Sequence, residues 1–148
     1  APERLRMDRL EPWSAHPGEG VKYFSGTAVY SRTFRLLPGQ VRAGRLFLDL
    51  GRVGDVAEVW VNGRRAELLW KPPYRAEVGA LMKAGENRLE VRVTNQWSNR
   101  MLGDRALPPE GKRLPPAPAW MERYAAPAVL AESGLLGPVA IIAAAGAE

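Results

Sequence analysis

The segment AEVWVNG, residues 57–63, lies at the centre of the stretch that decides the fold, residues 45–95. Its apolar residues alternate with polar or aromatic ones, and the same period of two recurs at residues 46–50 and 89–93. Alternation of this kind predicts strands that bury one face and leave the other face in water. We therefore expect these three runs to form an antiparallel nucleus.

A tight turn is predicted directly after the central run. Asn62-Gly63 provides two residues that tolerate positive φ angles, which a type I′ hairpin turn requires. Residues 59–61 should therefore pair with a following strand at residues 65–70. We assign Asn62 to this turn in preference to a ligand-binding role, because Asn-Gly is first of all a turn signal.

Further short elements are predicted around this nucleus. We expect a strand over residues 26–36, an edge strand over 74–78 and a final strand over 139–143, with a poorly patterned first strand within 4–13. Residues 96–134 are rich in proline and lack periodicity, which predicts a long loop without a helix of real length. Many short strands separated by glycine and proline turns are typical of an all-β sandwich or barrel.

Composition indicates a single globular domain over residues 1–148. The net charge of +5 comes from 21 basic and 16 acidic residues, which are interspersed, so no basic run predicts nucleic-acid binding. No apolar run reaches the ~18 residues of a membrane span. The sequence has no cysteine, which excludes disulfides and thiolate chemistry. The charged N-terminal segment does not resemble a signal peptide, and a start at Ala1 without Met predicts either a processed chain or part of a longer protein.

A family resemblance is carried by an ordered set of motifs. They are YFSGTA (residues 23–28), LDLG (48–51), AEVWVNG (57–63), LWKPPY (69–74), GENRLEVRVTN (85–95) and SGLLGPV (133–139). This order resembles the sugar-binding-like jelly-roll domain of family 2 glycoside hydrolases, with a particular likeness to the C-terminal domain of family 106 α-L-rhamnosidases. The resemblance covers most of the chain from Leu10 to Ile142.

The resemblance implies a galactose-binding-like, antiparallel β-sandwich of the jelly-roll type. In such hydrolases this domain is an accessory, and the catalytic carboxylates lie on a separate barrel domain that has no counterpart in this sequence. The implied partners are a carbohydrate, such as a plant-type oligosaccharide, and the catalytic domain of the parent hydrolase. The absence of cysteine fits either side of a membrane, and of the two an extracytoplasmic location, secreted or periplasmic, is favoured.

Loop aromatics are the strongest candidates for sugar contacts. The apolar C–H faces of sugars lie on aromatic rings, while a few fixed polar groups bind the hydroxyls, and both kinds of residue occur at predicted strand ends and loops. The candidate carbohydrate-binding residues are Trp70, Tyr74, Asn95, Trp97 and Arg100. The alternative for the two tryptophans, Trp70 and Trp97, is that they pack into the ends of the sandwich, with their indole N–H groups bonded to backbone.

Catalytic and metal-binding patterns were not found in the sequence. Glycosidases need two carboxylates at a set separation, and the acids here fall into no such pattern. His16 is the single histidine and lies in a Pro/Gly loop, so we predict no catalytic triad, no metal site and no cofactor. Two alternatives to a sugar-binding accessory domain remain: a purely structural module that docks on its parent hydrolase, and a small autonomous enzyme.

Overall fold

The computed structural model describes residues 1–42, 45–115 and 129–144 of the chain. Within them the strands are β1 (Thr27–Leu36), β2 (Arg45–Asp49), β3 (Arg52–Gly54), β4 (Val56–Val61), β5 (Arg64–Leu69), β6 (Arg75–Glu77), β7 (Gly85–Thr94), β8 (Gly134–Gly137) and β9 (Ala140–Ala144). The α-helices are α1 (Glu19–Lys22), α2 (Pro38–Arg42) and α3 (Ser98–Arg105), and 3-10 turns lie at Trp13–Ala15, Gly79–Leu81 and Pro109–Gly111. In this described part, no helix is long and apolar enough to cross a bilayer.

The strands form two main antiparallel sheets and a small strand pair. One sheet has the order β1-β7-β4-β5, the second has the order β6-β2-β9, and β3 pairs with β8. Side chains from both main sheets belong to one hydrophobic core. The predicted all-β, antiparallel sandwich is therefore confirmed, and the final strand pairs with β2.

The predicted alternation decides which side chains reach the core. Ala57, Val59 and Val61 of β4 are completely buried, and the residues between them are only partly buried. On the facing sheet, Leu46 and Leu48 are buried in the same way. Burying one such aliphatic side chain contributes about 1.5 to 3 kcal/mol, so the two facing layers supply most of the driving force for this fold.

The hairpin predicted at Asn62-Gly63 joins β4 to β5. Asn62 has a φ of 51° and Gly63 has a φ of 78°, as a type I′ turn requires. The Asn62 side chain also donates to the carbonyl of Leu81 at 2.8 Å and accepts from the backbone N–H of Arg88 at 3.0 Å. Asn62 therefore both forms the turn and bonds it to Leu81 and to Arg88 of β7.

One tyrosine hydroxyl joins three distant parts of the chain. The Tyr30 oxygen on β1 accepts a hydrogen bond from the indole N–H of Trp13 at 2.6 Å and one from the backbone N–H of Leu135 at 3.0 Å. The Trp13 and Tyr30 rings are nearly parallel, with centroids 6.4 Å apart. The N-terminal segment and β8 are therefore both anchored to the four-stranded sheet at Tyr30.

Two predictions from the sequence differ from the structure. Residues 4–13 form no strand, so their weak alternation does not correspond to a sheet position. The predicted loop 96–134 contains α3, a 3-10 turn and the beginning of β8, so the expectation of a loop without a helix was wrong. The described part of the loop is held by tertiary contacts. Residues 116–128, which include Trp120, lie outside the described residues.

Removing the Tyr30 hydroxyl tests this anchor. Tyr30→Phe leaves the Trp13 indole N–H and the Leu135 N–H without their acceptor, so we expect a loss of about 1 to 3 kcal/mol in the free energy of unfolding, measured by chemical denaturation. Thr33→Ala, at an exposed position on the same strand, serves as the control and should change stability by less than about 0.5 kcal/mol. Equal stability of Tyr30→Phe and wild type would contradict this role.

Tyr30 should also make the free energy of unfolding decrease at alkaline pH. Burial raises the pKa of the Tyr30 phenol, and the hydrogen bonds from Leu135 and Trp13 only partly oppose this. The unfolded chain therefore releases this proton at a lower pH than the folded chain, so the free energy of unfolding should fall as the pH rises above about 10. In Tyr30→Phe the decline should be shallower, and an unchanged slope would count against the buried phenol as its source.

Candidate functional site

Four strand ends meet at one edge of the larger sheet, by which we mean the end where its strands begin or stop and not the side of an outer strand. In the register of this sheet, Thr94 at the end of β7 lies opposite both Thr27 at the start of β1 and Val56 at the start of β4. Leu69, at the end of β5, lies opposite Ala57. The loops that precede or follow these strands are therefore brought together at this edge, which includes the predicted site residues at 70 and 95–100.

Asn95 fixes the loop before β1 to the end of β7. Its side chain is buried, donates to the carbonyl of Phe24 at 2.9 Å and accepts from the N–H of Gly26 at 3.0 Å. The Asn95 backbone N–H also bonds to the Gly26 carbonyl at 3.3 Å. Both ends of the carboxamide are thus used inside the protein, where leaving either end unpaired would cost about 1 to 3 kcal/mol.

Asp55 and Tyr74 extend this set of contacts across the edge. The Asp55 carboxylate accepts from the backbone N–H and from the side-chain amide of Gln96, each at 3.0 Å. The buried Tyr74 donates its hydroxyl to the Asp55 carbonyl at 2.7 Å, and burial, followed by the nearby Asp55 charge, raises the pKa of this phenol. The backbone that leads into Trp97 is consequently held on both sides.

Helix α3 follows directly and packs closely against the loop before β1. Trp97 is its N-cap residue, and Gly103 is buried on the side that faces Tyr23. A Cβ atom placed on Gly103 would lie 2.5 Å from Cγ of Tyr23, so only glycine allows this approach. The closeness of the helix and the Tyr23 ring determines the shape of the space between them.

Two buried polar side chains of α3 hold distant backbone. Asn99 donates to the Ala131 carbonyl and accepts from the Ala131 N–H, both at 2.8 Å. Asp104 accepts from the backbone N–H of Arg113 at 2.8 Å and of Leu114 at 3.4 Å. The helix therefore acts as a fixed platform, although only eight residues long.

A cleft of about 380 Å³ lies between α3 and the loop before β1. Its lining residues are Gly20, Tyr23, Phe24, Ser25, Gly26, Trp97, Arg100 and Leu114. Three aromatic residues and one arginine thus line a space that is open to solvent. Within the described part of the chain, no group of three or more His, Asp and Glu side chains is placed to hold a metal ion.

The structure distributes the five predicted site residues over three kinds of position. Trp97 and Arg100 line the cleft, and Trp97 keeps 66% of its surface exposed. Asn95 and Tyr74 lie beneath the same edge, with their polar atoms bonded to backbone. Trp70 is equally exposed at the end of β5, outside the cleft lining, with the Lys71 ammonium group 5.0 Å from its ring centroid.

Sequence reasoning missed the wall formed by residues 20–26. Tyr23, Ser25 and Gly26 were recognised only as part of the YFSGTA motif. The signal that could have identified them is the segment S-N-R-M-L-G-D-R at residues 98–105, which proline-rich sequence follows. As a helix, this segment would carry a glycine on one face. Recognised as a helix, this segment would have required a partner for its glycine face.

The contact between Gly103 and Tyr23 predicts an unfavourable glycine-to-alanine substitution. Gly103→Ala places a methyl group against Cβ and Cγ of Tyr23, the part of that side chain closest to its backbone, so we expect a net loss of about 1 to 3 kcal/mol despite the better helix propensity of alanine. Gly111→Ala, whose Cβ would meet its nearest neighbour at 3.5 Å, is the matched control and should be nearly neutral in the same denaturation experiment. Stabilisation by Gly103→Ala would show that the approach is looser than described.

Comparison with known proteins agrees with this geometry. The sequence is 43% identical to a Formosa agariphila protein described as "Putative beta-glucuronidase", over 93% of this chain and 14% of that protein. The fold matches a rhamnosidase from Novosphingobium sp. PP1Y with a TM-score of 0.80 and 42% identity, over 95% of this chain and 13% of that one. A Lactobacillus rhamnosus β-glucuronidase matches 55% of this chain and 14% of its own, with a TM-score of 0.50 and 26% identity.

The matched proteins are far longer than this chain, which spans about one seventh of their length. The family model described as "Glycosyl hydrolases family 2, sugar binding domain" matches residues 15–107, a range that includes α3, Trp97 and Arg100. The predicted resemblance to this domain type and to rhamnosidases is confirmed, while a C-terminal position in the parent stays a prediction. The chain belongs to the sugar-binding domain family of the family 2 glycosyl hydrolases.

Proposed function

We propose that this chain is a non-catalytic accessory domain that binds carbohydrate for a glycoside hydrolase resembling α-L-rhamnosidases. The observation that carries the proposal is the cleft between α3 and residues 20–26, where an exposed tryptophan ring and a guanidinium group lie together in a domain of a sugar-binding family. A rhamnosidase-like parent is supported by the 42% identity to the Novosphingobium enzyme over nearly the whole chain.

The cleft has the properties that saccharide binding requires. Its volume lies within the range of small-molecule sites, about 300 to 1,000 Å³, and it combines apolar walls with a few polar groups. About two thirds of Trp97 is exposed to water. Because exposed apolar surface is unfavourable, stacking of the C–H face of a sugar on this ring would lower the free energy. Arg100, three residues further along α3, projects from the same side of the helix and offers N–H donors to hydroxyl oxygens.

The remaining predicted residues divide into supporting and contacting roles. Asn95 and Tyr74 hold the strand ends that carry the cleft, because their polar atoms are already bonded to Phe24, Gly26 and Asp55. Trp70 is free to contact a longer oligosaccharide from the neighbouring end of β5. Sugar contact in the cleft itself is assigned to Trp97 and Arg100.

The environments of the carboxylates support a non-catalytic role. A glycosidase needs one carboxyl group with a raised pKa to act as general acid. Hydrogen bonds from Arg75 to Asp49 and from Arg45 to Glu77 instead lower the pKa of both carboxyl groups. Asp55 and Asp104 are bonded to backbone N–H groups of the loops that they hold.

A structural docking role is the second candidate, and the outer face of the larger sheet favours it. Leu68 and Trp70 of the β5 segment are exposed there, and so is Val29 on β1. However, Val29 and Leu68 lie at opposite sides of the sheet, with Arg92 and Glu58 between them in the same cross-strand row. A row interrupted by charges offers less apolar contact than a continuous patch.

Calorimetric titration with saccharides tests the binding role. The purified chain is titrated at millimolar concentrations with rhamnose, galactose and plant cell-wall oligosaccharides, alongside Trp97→Ala and Trp70→Ala. We expect Trp97→Ala to weaken binding of an oligosaccharide about tenfold or more, because it removes the stacking surface, whereas Trp70→Ala, an equally exposed tryptophan outside the cleft, should have a smaller effect. No heat with any saccharide would remove the binding role and leave the docking role.

An activity assay tests the absence of catalysis separately. We expect the chain to release no nitrophenol from a nitrophenyl α-L-rhamnoside above the rate of buffer alone. Turnover that a single carboxylate substitution abolishes, with the fold retained by circular dichroism, would show an autonomous enzyme.

A further inference from the structure

We infer that the cleft selects a saccharide that bears a carboxylate, a uronate unit, and that Arg100 is the residue that recognises the charge. This inference rests on the proposed carbohydrate-binding function and specifies its ligand class. It is carried by the charge of the lining residues and by the other contacts of the carboxylates near the cleft.

The charge of the cleft is one-sided. Among its lining residues Arg100 is the single charged one, and its neighbours there are aromatic, aliphatic, hydroxyl or glycine residues. The second cation close by is Lys22, whose ammonium group lies 5.5 Å from the centroid of the Tyr23 ring. The cleft therefore presents positive charge and no carboxylate from its described lining.

Two carboxylates of the segments around the cleft accept hydrogen bonds from other groups. Asp104, one helical turn along α3, is buried and accepts the N–H groups of Arg113 and Leu114. Asp55 accepts both nitrogen atoms of Gln96. In residues 1–42, 45–115 and 129–144, no ion pair within 4.0 Å includes Arg100.

Arg100 is partly buried and lines the cleft together with aromatic residues, and this setting favours an anion over a hydroxyl as its partner. Partial burial of Arg100 has removed part of its water, and a carboxylate restores the lost interaction through charge-assisted hydrogen bonds that are about twice as strong as neutral ones. The planar fork of arginine matches the two oxygens of a carboxylate. A neutral sugar leaves this cation with hydroxyl partners alone.

The spacing of Trp97 and Arg100 suits one pyranose unit. Residues three apart on a helix are neighbours, with Cβ atoms about 5 to 6 Å apart. A sugar ring stacked on the Trp97 indole would therefore place a substituent at its edge near the guanidinium group. The carboxylate of a uronate is such a substituent, because it projects from the ring carbon outside the stacked face.

An oligouronate and its methyl ester, in which each carboxylate is replaced by a neutral group, test this inference. Trigalacturonate and its fully methyl-esterified form are titrated separately into the full chain, with heat and the fluorescence of tryptophan as readouts. We expect the acid to bind at least about tenfold more tightly than the ester, in line with the strength of hydrogen bonds to charged groups. Raising the salt concentration should reduce this preference.

Three variants separate recognition of the carboxylate from general electrostatics. Arg100→Gln should lower affinity for the acid about tenfold or more and remove the preference, whereas Arg100→Lys should retain part of it, because the charge remains without the fork. Arg35→Gln makes the same change in net charge at an exposed position eight residues beyond the start of β1 and should leave both affinities unchanged. Circular dichroism and thermal unfolding verify that each variant is folded.

The outcomes distinguish this inference from the function on which it rests. If the acid and the ester bind equally, or if Arg100→Gln leaves their ratio unchanged, carboxylate selection is overturned while carbohydrate binding stands. If Arg35→Gln weakens the acid as much as Arg100→Gln does, the preference is a general charge effect and the assignment to Arg100 fails. If neither of these saccharides nor the neutral ones bind, both the inference and the proposed function are overturned.

Discussion

The antiparallel pairing of β7 with β1 on one side and β4 on the other is the constraint on which the structure depends. Leu89, Val91 and Val93 of β7 are buried in the core, so a shift of one residue would expose all three. The same register places Thr94 opposite the starts of both neighbouring strands. The core therefore determines where the chain leaves the sheet and, with it, where the cleft forms.

Polar side chains continue this constraint beyond the last strand pairs. The Asn95 side chain bonds to the backbone of Phe24 and Gly26, in the way that a further pair of strand residues would bond through their backbones. The Asp55 carboxylate likewise accepts from the backbone N–H of Gln96. Each bond lies where an unpaired group would be costly, so the loops have little freedom to separate. A rigid edge of this kind holds the exposed Trp97 and the partly buried Arg100 on a fixed base, which lowers the ordering cost of binding a ligand.

Local pattern and tertiary contact explain what could be predicted from the sequence. The period of two in β2, β4 and β7 reflects burial of one face, and Asn62-Gly63 reflects a local backbone preference, so both were recognisable. Helix α3 was missed because its stability comes from distant partners, Ala131 for Asn99 and residues 113–114 for Asp104, and because Gly103 lowers its intrinsic helix propensity. Trp97 and Arg100 were found as loop residues, whereas the opposing wall at residues 23–26 required knowledge of the helix packed against it.

The location of the binding surface can be measured directly by following the backbone and indole N–H resonances of the protein during titration with an oligosaccharide. We predict that the shifts are concentrated in residues 20–26 and 97–100 and include the Trp97 indole, while the Trp13 indole, which is bonded to Tyr30 in the core, stays unchanged. Shifts confined to the outer face around Leu68 and Trp70, with the Trp97 indole unaffected, would contradict a cleft formed by α3 and the loop before β1.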